Sequence, residues 1–182
     1  TFYLARWDRE WFSHLFTALR LGCQDIHGFD VSAADNSFET YTVDYGRINS
    51  LGLAVNIWIK GGIGLFADGV VRDTANRSHG VEGQPDLPLV PEHEFKTGLA
   101  WVHPSRIRAS LTAGFIGERP VAAGTADLDD YVTTDLALSW QPLDRHLDLG
   151  LSVTNLLDAD YDQATDMPGP GRVVTVSGKV LL

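Results

Sequence analysis

Residues 147–154 read Leu-Asp-Leu-Gly-Leu-Ser-Val-Thr, with an apolar side chain at every second position until the final Thr. Successive side chains of a β-strand point to opposite faces, so this stretch predicts a strand with one apolar and one polar face. The alternation recurs upstream in residues 107–115 and 132–140, and downstream in residues 174–182. A series of such segments predicts an antiparallel sheet that presents one apolar face.

The connections between these segments alternate in length. Residues 104–105 and 144–146 form short turns, whereas residues 119–130 and 162–171 form long loops rich in Gly, Pro and Asp. Short turns at one end and long loops at the other are typical of a bacterial transmembrane β-barrel. Such a barrel also carries aromatic residues at both membrane interfaces. The sequence offers candidates at both strand ends: Trp101, Trp140, Phe115, Tyr131 and Tyr161.

The first half of the chain repeats the pattern less regularly. Residues 51–59 alternate, Gly61-Gly62 turns the chain, and residues 63–71 return. A long acidic, proline-containing loop, residues 73–92, then leads to a strand that includes Phe95 and Trp101. We count seven strands from about residue 41 onward.

The start of the chain is ambiguous, because its large apolar residues recur every fourth position, which is helical spacing. These residues are Trp7, Trp11, Leu15 and Leu19. We assign an eighth strand from Phe2 to about Trp11, by analogy with the segments that follow. The predicted fold class is therefore all-β, an antiparallel transmembrane β-barrel of about eight strands.

Composition excludes several function classes. Among 182 residues, 24 acidic against 14 basic side chains give a net charge of −10, the wrong sign for nucleic acid. Cys23 is the single cysteine, so the chain forms no internal disulfide and has no cysteine-based zinc motif. No apolar run approaches 18 residues, which excludes a transmembrane helix but not barrel strands. No nucleophile motif or cofactor motif argues for an enzyme.

Three weak motifs have simpler explanations. Residues 62–67 match a loose G-x-G-x-x-A pattern, but a strand rather than a helix follows, so we predict a glycine turn. Residues 158–162, Asp-Ala-Asp-Tyr-Asp, lack the later Gly and Glu of a calcium-binding EF-hand loop. A looser calcium site there remains an alternative to a solvated acidic loop. His79 and His93 share one loop and could hold a metal, although solvated histidines are the simpler explanation.

The end of the chain resembles the C-terminus of TonB-dependent outer-membrane receptors. Residues 155–161, Asn-Leu-Leu-Asp-Ala-Asp-Tyr, look like the family's N-L-F-D-x-x-Y, and Pro-Gly-Arg at 170–172 looks like its P-G-R before the last strand. Two upstream stretches, residues 45–52 and 89–93, are similar to strand-start motifs of the family. The motif residues, which we expect to have structural roles, are Asn155, Leu156, Asp158, Tyr161, Pro170, Gly171 and Arg172. We expect Tyr161 in the outer aromatic belt and Arg172 paired with Asp158 or Asp160.

The resemblance implies that residues 1–182 form part of a barrel in the bacterial outer membrane. It implies outer-membrane lipid and TonB as partners, the latter through a plug domain absent from these residues. The implied ligand is a ferric siderophore, haem, cobalamin or similar metal chelate, contacted by the long loops. Two features depart from the family pattern: the chain ends in Leu182 rather than an aromatic residue, and Leu53 replaces a usual acidic residue.

Two alternatives remain open from the sequence. The first is a self-contained eight-stranded barrel with a structural or adhesion role, whose first and last strands would be hydrogen-bonded. The second is a soluble lipocalin-like binding protein, whose apolar face would point inward.

Overall fold

A computed structural model describes residues 1–32, 40–78, 86–121, 126–142 and 146–180, with the side chains of residues 29–32 and 40–42 left undescribed. The described chain contains eleven strands and no helix. The strands are β1 (Phe2–Trp11), β2 (Leu15–Ser32), β3 (Thr40–Ile59), β4 (Ile63–Asn76), β5 (His93–His103), β6 (Ile107–Ile116), β7 (Tyr131–Trp140), β8 (Leu147–Thr154), β9 (Asp162–Ala164), β10 (Met167–Pro168) and β11 (Val173–Val180). In this part of the chain, no helix is long and apolar enough to cross a membrane.

Nine strands form one antiparallel sheet in the order β1-β2-β3-β4-β5-β6-β7-β8-β11, and β9 and β10 form a separate hairpin. The predicted all-β antiparallel class is confirmed. The strand assigned to Phe2–Trp11 is also present, but the sheet has nine strands rather than eight because β2 was missed. The turn after Trp11 pairs Trp11 with Leu15 and Trp7 with Leu19. The apparent helical spacing therefore comes from a hairpin that folds back on itself.

The register aligns the apolar residues of neighbouring strands into one continuous band. Leu19 pairs with Leu53, Leu53 with Gly69, and Gly69 with Phe95. Along β3 the band extends from Ile59 to Leu51, which is about 27 Å of strand at roughly 3.4 Å per residue. At the tilt of about 35–45° usual for barrel strands, this length spans roughly 20 Å, which is most of the apolar band of a transmembrane barrel, about 25 Å tall.

The opposite face of the sheet is polar and holds charged pairs that connect neighbouring strands. Arg20 on β2 reaches over β3 to form an ion pair with Asp68 on β4. It passes over Gly52, where a Cβ would lie 3.0 Å from the Arg20 Nε. Arg72 and Glu94 form a second pair, with 3.0 Å between Nη1 and Oε1. All four side chains are partly solvent-exposed, so each pair contributes under about 1 kcal/mol to stability.

Tight turns close the hairpins at the end of the sheet opposite the long loops, and two of them match predicted turns. Gly61 and Gly62 have φ values of +87° and +79°, a conformation that glycine adopts without steric cost. The predicted turn at residues 104–105 is also present, and the Arg106 N–H donates to the His103 carbonyl over 2.9 Å. The predicted turn at residues 144–146 includes residues 144 and 145, which lie outside the described part of the chain. Leu182 also lies outside the described part.

The buried apolar residues of the described chain lie mostly outside the sheet. Both faces of the sheet are open, and Val176 on β11 is 78% exposed. Most of the buried apolar side chains lie where the long loops leave the strands, namely Leu87, Pro88, Val121 and Leu128, whereas Val43 lies within β3 and Val153 near the end of β8. The sheet alone has no core, so it requires an apolar surrounding on one face.

Candidate functional site

The long loops meet at one end of the sheet, which we call the loop end: residues 86–92, 117–121, 126–130 and 155–172. The loop predicted at residues 73–92 starts later than expected, because β4 continues through Asn76. The connection predicted as the loop 162–171 contains the β9–β10 hairpin. Among soluble and membrane barrels alike, loops fixed on a rigid sheet are the usual place for ligand contacts.

Asn155 organises the connection between β8 and β11. Asn155 is 3% exposed and has a φ of 49°, a left-handed backbone conformation that asparagine tolerates better than most other residue types. The Asn155 Nδ2 donates to the carbonyls of Ala159 (2.9 Å) and Pro170 (3.2 Å), and its Oδ1 accepts the Ala159 N–H (2.9 Å). Its own N–H donates to Asp135 on β7 over 3.0 Å. One side chain thus connects the start, middle and end of this connection.

Asp158 closes the same connection from the other side. The Arg172 N–H donates to Asp158 Oδ1 over 2.7 Å, and the Arg172 Nη2 lies 3.4 Å from Asp158 Oδ2. A Cβ at residue 171 would lie 3.3 Å from the same carboxylate oxygen, so Gly171 leaves room for it. Leu156 adds a main-chain bond, donating its N–H to the Thr134 carbonyl over 2.6 Å. The predicted motif residues therefore meet in one compact corner.

Tyr161 lies on the polar side of the sheet rather than in an outer aromatic belt. Its ring stacks on Tyr131, with 4.1 Å between ring centroids. Tyr131 pairs with Ile116 on β6, and both residues belong to the alternating set of the polar face. Gly169 packs against the Tyr161 ring so closely that a Cβ there would lie 2.2 Å away. The belt positions expected for Tyr131 and Tyr161 are wrong. The alternation of β7 places the Tyr131 side chain on the polar face of the sheet, and Tyr161 lies on the same face because its ring stacks on that of Tyr131.

Arg119 joins two of the long loops, a role that the sequence did not reveal. It is 6% exposed. Its Nη1 donates to the Gln163 carbonyl (2.9 Å) and its Nη2 to the carbonyls of Asp162 (2.7 Å) and Asp129 (3.5 Å). The guanidinium carbon lies 5.1 Å from the Tyr131 ring centre. In the sequence, Arg119 is only a charged residue in a Gly- and Pro-rich loop, a pattern too common to single it out.

The third loop is fixed to the strands by Thr74. The Thr74 hydroxyl donates to Asp86 (3.3 Å) and accepts the Leu87 N–H (3.2 Å). Leu87 packs on Gly46 of β3, where a Cβ would lie 2.6 Å from Leu87 Cδ2. The Leu89 N–H donates to the Pro120 carbonyl over 2.7 Å, so this loop also contacts the loop of Arg119.

An acidic pocket of ≈ 330 Å³ opens between the Arg119 loop and the β9–β10 hairpin. Its carboxylates are Asp127, Asp129, Asp130, Asp160 and Asp162, and its other lining residues include Tyr161, Leu128, Pro168 and Gly169. Within the described residues, no group of three or more His, Cys, Asp or Glu side chains is arranged to hold a metal ion. The looser calcium site considered for residues 158–162 gains no support. The alternative with His79 and His93 involves His79, which lies outside the described residues.

Strands β2 and β3 extend well beyond the apolar band and carry a polar cluster there. Asp25 Oδ1 accepts hydrogen bonds from Arg47 Nε (2.8 Å) and from the Tyr45 hydroxyl (3.0 Å). His27 lies against Tyr45, with 4.9 Å between ring centroids. The hydrogen bond from Arg47 lowers the pKa of the Asp25 carboxyl, and the Tyr45 hydroxyl adds to this effect. The cluster therefore holds the two strands together beyond the band.

These features define a class of protein. An antiparallel sheet with one apolar band, one polar face and two edge strands that pair with no further described strand has the architecture of a transmembrane β-barrel wall. No family model and no curated protein matches the sequence.

Solved structures that match this chain include TonB-dependent outer-membrane receptors. The copper transporter OprC matches with a TM-score of 0.76 and 16% identity, over 96% of this chain and 31% of that chain. The ferric citrate transporter FecA in its unliganded form matches with a TM-score of 0.75 and 12% identity, over 98% of this chain and 30% of that chain. The ferric-catecholate import receptor Fiu from K12 E. coli matches with a TM-score of 0.67 and 20% identity, over 96% of this chain and 27% of that chain.

The chain therefore has the barrel-wall fold of TonB-dependent receptors, as its tail motif predicted. It spans less than a third of the length of these three receptors.

Proposed function

We propose that this chain is the C-terminal barrel portion of a TonB-dependent outer-membrane receptor. The receptor would import a scarce nutrient such as a ferric siderophore, haem or cobalamin. The observation that carries the proposal is the apolar band that continues across nine strands and is backed by a polar face, while neither edge strand pairs with a further strand of the described residues.

The direction of the edge strands supports a larger barrel over a small closed one. β1 runs from the loop end at Phe2 to the tight-turn end at Trp11, and β11 runs the same way, from Val173 to Val180. Two strands that run in the same direction cannot pair antiparallel with each other. An all-antiparallel barrel that includes this sheet requires an odd number of additional strands. The self-contained eight-stranded barrel and the lipocalin-like barrel both require direct closure, so both fit less well.

The two faces of the sheet support the placement in the outer membrane. The apolar band would face lipid, with Trp11, Trp101 and Trp140 near its tight-turn edge, where an indole ring is favoured at a membrane interface. The polar face would line the lumen, because its ion pairs need a polar surrounding. TonB would act through a plug domain that lies outside these residues.

The loop end supports ligand contact by this portion of the receptor. Its three loops are held together by hydrogen bonds rather than being separate, so they present one surface above the lumen. The solved receptors of this fold carry names that include ferric citrate, a ferric catecholate and copper. A metal chelate or similar small molecule is the class that we propose for this chain as well.

A fractionation experiment tests the membrane part of this proposal. The protein that contains this chain should sediment with the outer membrane, resist extraction by buffer, and migrate faster on SDS gels before heating than after heating, as closed barrels do. Recovery in the soluble fraction would contradict the proposal and favour the lipocalin-like reading.

An uptake assay tests the transport part. Cells should be supplied with a panel of radiolabelled ligands: ferric catecholate, hydroxamate and citrate complexes, haem and cobalamin. We expect uptake of one class that is lost both when the protein is deleted and when TonB is deleted. Uptake that is independent of TonB would contradict the proposed transport function. So would the absence of uptake for every ligand class when the protein is present in the outer membrane.

A further inference from the structure

The buried guanidinium of Arg119 has an unusual set of partners. No carboxylate in the described part of the chain forms a salt bridge with it, and its Nε has no hydrogen-bond partner there. Its hydrogen bonds go instead to main-chain carbonyls of Asp129, Gln163 and Asp162, which belong to two different loops. A buried charge without an ion pair is costly, so its presence calls for an explanation beyond packing.

The position of Arg119 provides that explanation. Its main chain closes its own loop, because Arg119 and Leu128 exchange hydrogen bonds of 3.0 and 2.9 Å. Its side chain then crosses to the β9–β10 hairpin, 44 residues away along the sequence. The β9–β10 hairpin pairs with no other strand of the described chain. It is held from outside by Arg119 and by the stacking of Tyr161 on Tyr131.

The acidic pocket lies between the two loops that Arg119 joins, and two residues of its lining also contact the guanidinium. Asp129 and Asp162 each use their main-chain carbonyl to accept from the guanidinium, while both residues also line the pocket. The carboxylates around this pocket create a negative potential that favours a nearby cation. A planar fork of five donors can serve two loops at once, and the single ammonium of lysine cannot do so in the same geometry.

We propose that Arg119 is a positioning residue that fixes the β9–β10 hairpin to the loop of residues 119–121 and 126–130, so that both loops form one preformed ligand-contacting surface. The part concerning the ligand rests on the proposed transport function. The part concerning the loops does not, because it follows from the contacts of Arg119 alone. A surface that is ordered before binding loses less conformational entropy when the ligand arrives.

Hydrogen–deuterium exchange on the intact protein in detergent tests the coupling. We compare the wild type with Arg119→Lys and Arg119→Gln, and use Glu118→Gln as the matched control, since Glu118 is exposed and adjacent. Arg119→Lys retains the charge and guards against a variant that fails to fold. Heat-dependent gel mobility verifies that each barrel is formed.

We expect both Arg119 variants to increase exchange about tenfold in residues 162–169 and also in residues 126–130, with β6, β7 and β8 unchanged. Glu118→Gln should match the wild type. The proposal is overturned if only one of the two loops becomes faster, or if Arg119→Lys exchanges like the wild type.

Uptake kinetics then test the ligand part separately. For whichever ligand the wild type imports, Arg119→Lys should raise the half-saturation concentration several-fold while the maximal rate stays the same. A lower maximal rate with unchanged half-saturation would overturn the ligand part. If the wild type imports nothing, the transport function fails, while the exchange result still decides whether Arg119 couples the loops.

Discussion

Replacing Asn155 with alanine should open the connection between β8 and β11. The substitution removes the two hydrogen bonds donated by Nδ2 and the one accepted by Oδ1. At roughly 1 kcal/mol each, they contribute about 3 kcal/mol. Alanine at a φ of 49° adds about 1–2 kcal/mol of backbone strain. The free energy of local opening should therefore fall by about 4 kcal/mol, which corresponds to roughly a thousandfold faster exchange of the protected amides.

Asn155→Gly separates the two contributions. Glycine also loses the three hydrogen bonds, but it adopts positive φ without strain, so its cost should be about 1 kcal/mol smaller than that of alanine. Leu157→Ala serves as the control, because Leu157 lies in the same connection and is 71% exposed, so we expect a change within about 0.5 kcal/mol.

The assay is hydrogen–deuterium exchange of the amides in residues 155–172, with the amide of Ala159 as the most direct probe because it donates to Asn155 Oδ1. Equal exchange in the alanine variant and the wild type would refute the reasoning that this side chain holds the connection. If alanine and glycine gave the same increase, the strain argument would be wrong while the hydrogen-bond argument remained.

Three further predictions concern the turn, the two faces and the extended hairpin. Gly62→Ala should lower thermal stability more than Gly61→Ala, because a Cβ at Gly62 would lie 2.0 Å from a main-chain carbonyl oxygen while one at Gly61 meets no atom within 4 Å; equal melting shifts would contradict this. Leu53→Arg should lower the stability of the barrel in lipid vesicles by about 2–4 kcal/mol, whereas Ala54→Arg on the polar face should cost much less; the reverse order would mean that the faces are assigned wrongly. The pKa of Asp25 is lower in the folded state than in the unfolded state. Its contribution to the stability of the hairpin is therefore fully present when the pH is above the unfolded-state pKa of about 3.9, and is lost as the pH falls through the folded-state pKa. Amide exchange in β2 beyond the band, corrected for intrinsic rate, should thus stay constant from neutral pH to about pH 4 and accelerate only below it; acceleration already near pH 6 would exclude Asp25 as the cause.

The strand that the sequence did not predict shows where one-dimensional patterns fail. In the first hairpin, residues paired across the turn have numbers that add to a constant, so Trp11 faces Leu15 and Trp7 faces Leu19. This symmetry mimics the four-residue spacing of a helix. The turn itself contains Phe12 and Ser13 at φ values of 54° and 58°, and neither residue type signals a left-handed conformation. Local sequence therefore carried no indication of the reversal.

The loop end shows a second limit. Sequence similarity marked Asn155 and Asp158, whose side chains have partners within about 15 residues along the chain. Arg119 was not marked, because its partners are carbonyl groups 43 and 44 residues away, and a carbonyl group is the same for every residue type. Contacts to the main chain leave no trace in the sequence of the partner.

The sequence by itself determined the alternation of faces, the glycine turn at residues 61–62 and the resemblance of the tail to TonB-dependent receptors. These follow from side-chain periodicity and from backbone preferences, which are local properties. Only the tertiary structure decided that the sheet has nine strands with parallel-running edges, that Tyr161 turns inward, and that Arg119 joins two loops. Each of these depends on which strands become neighbours, and pairing between distant segments is set by the register of the whole sheet.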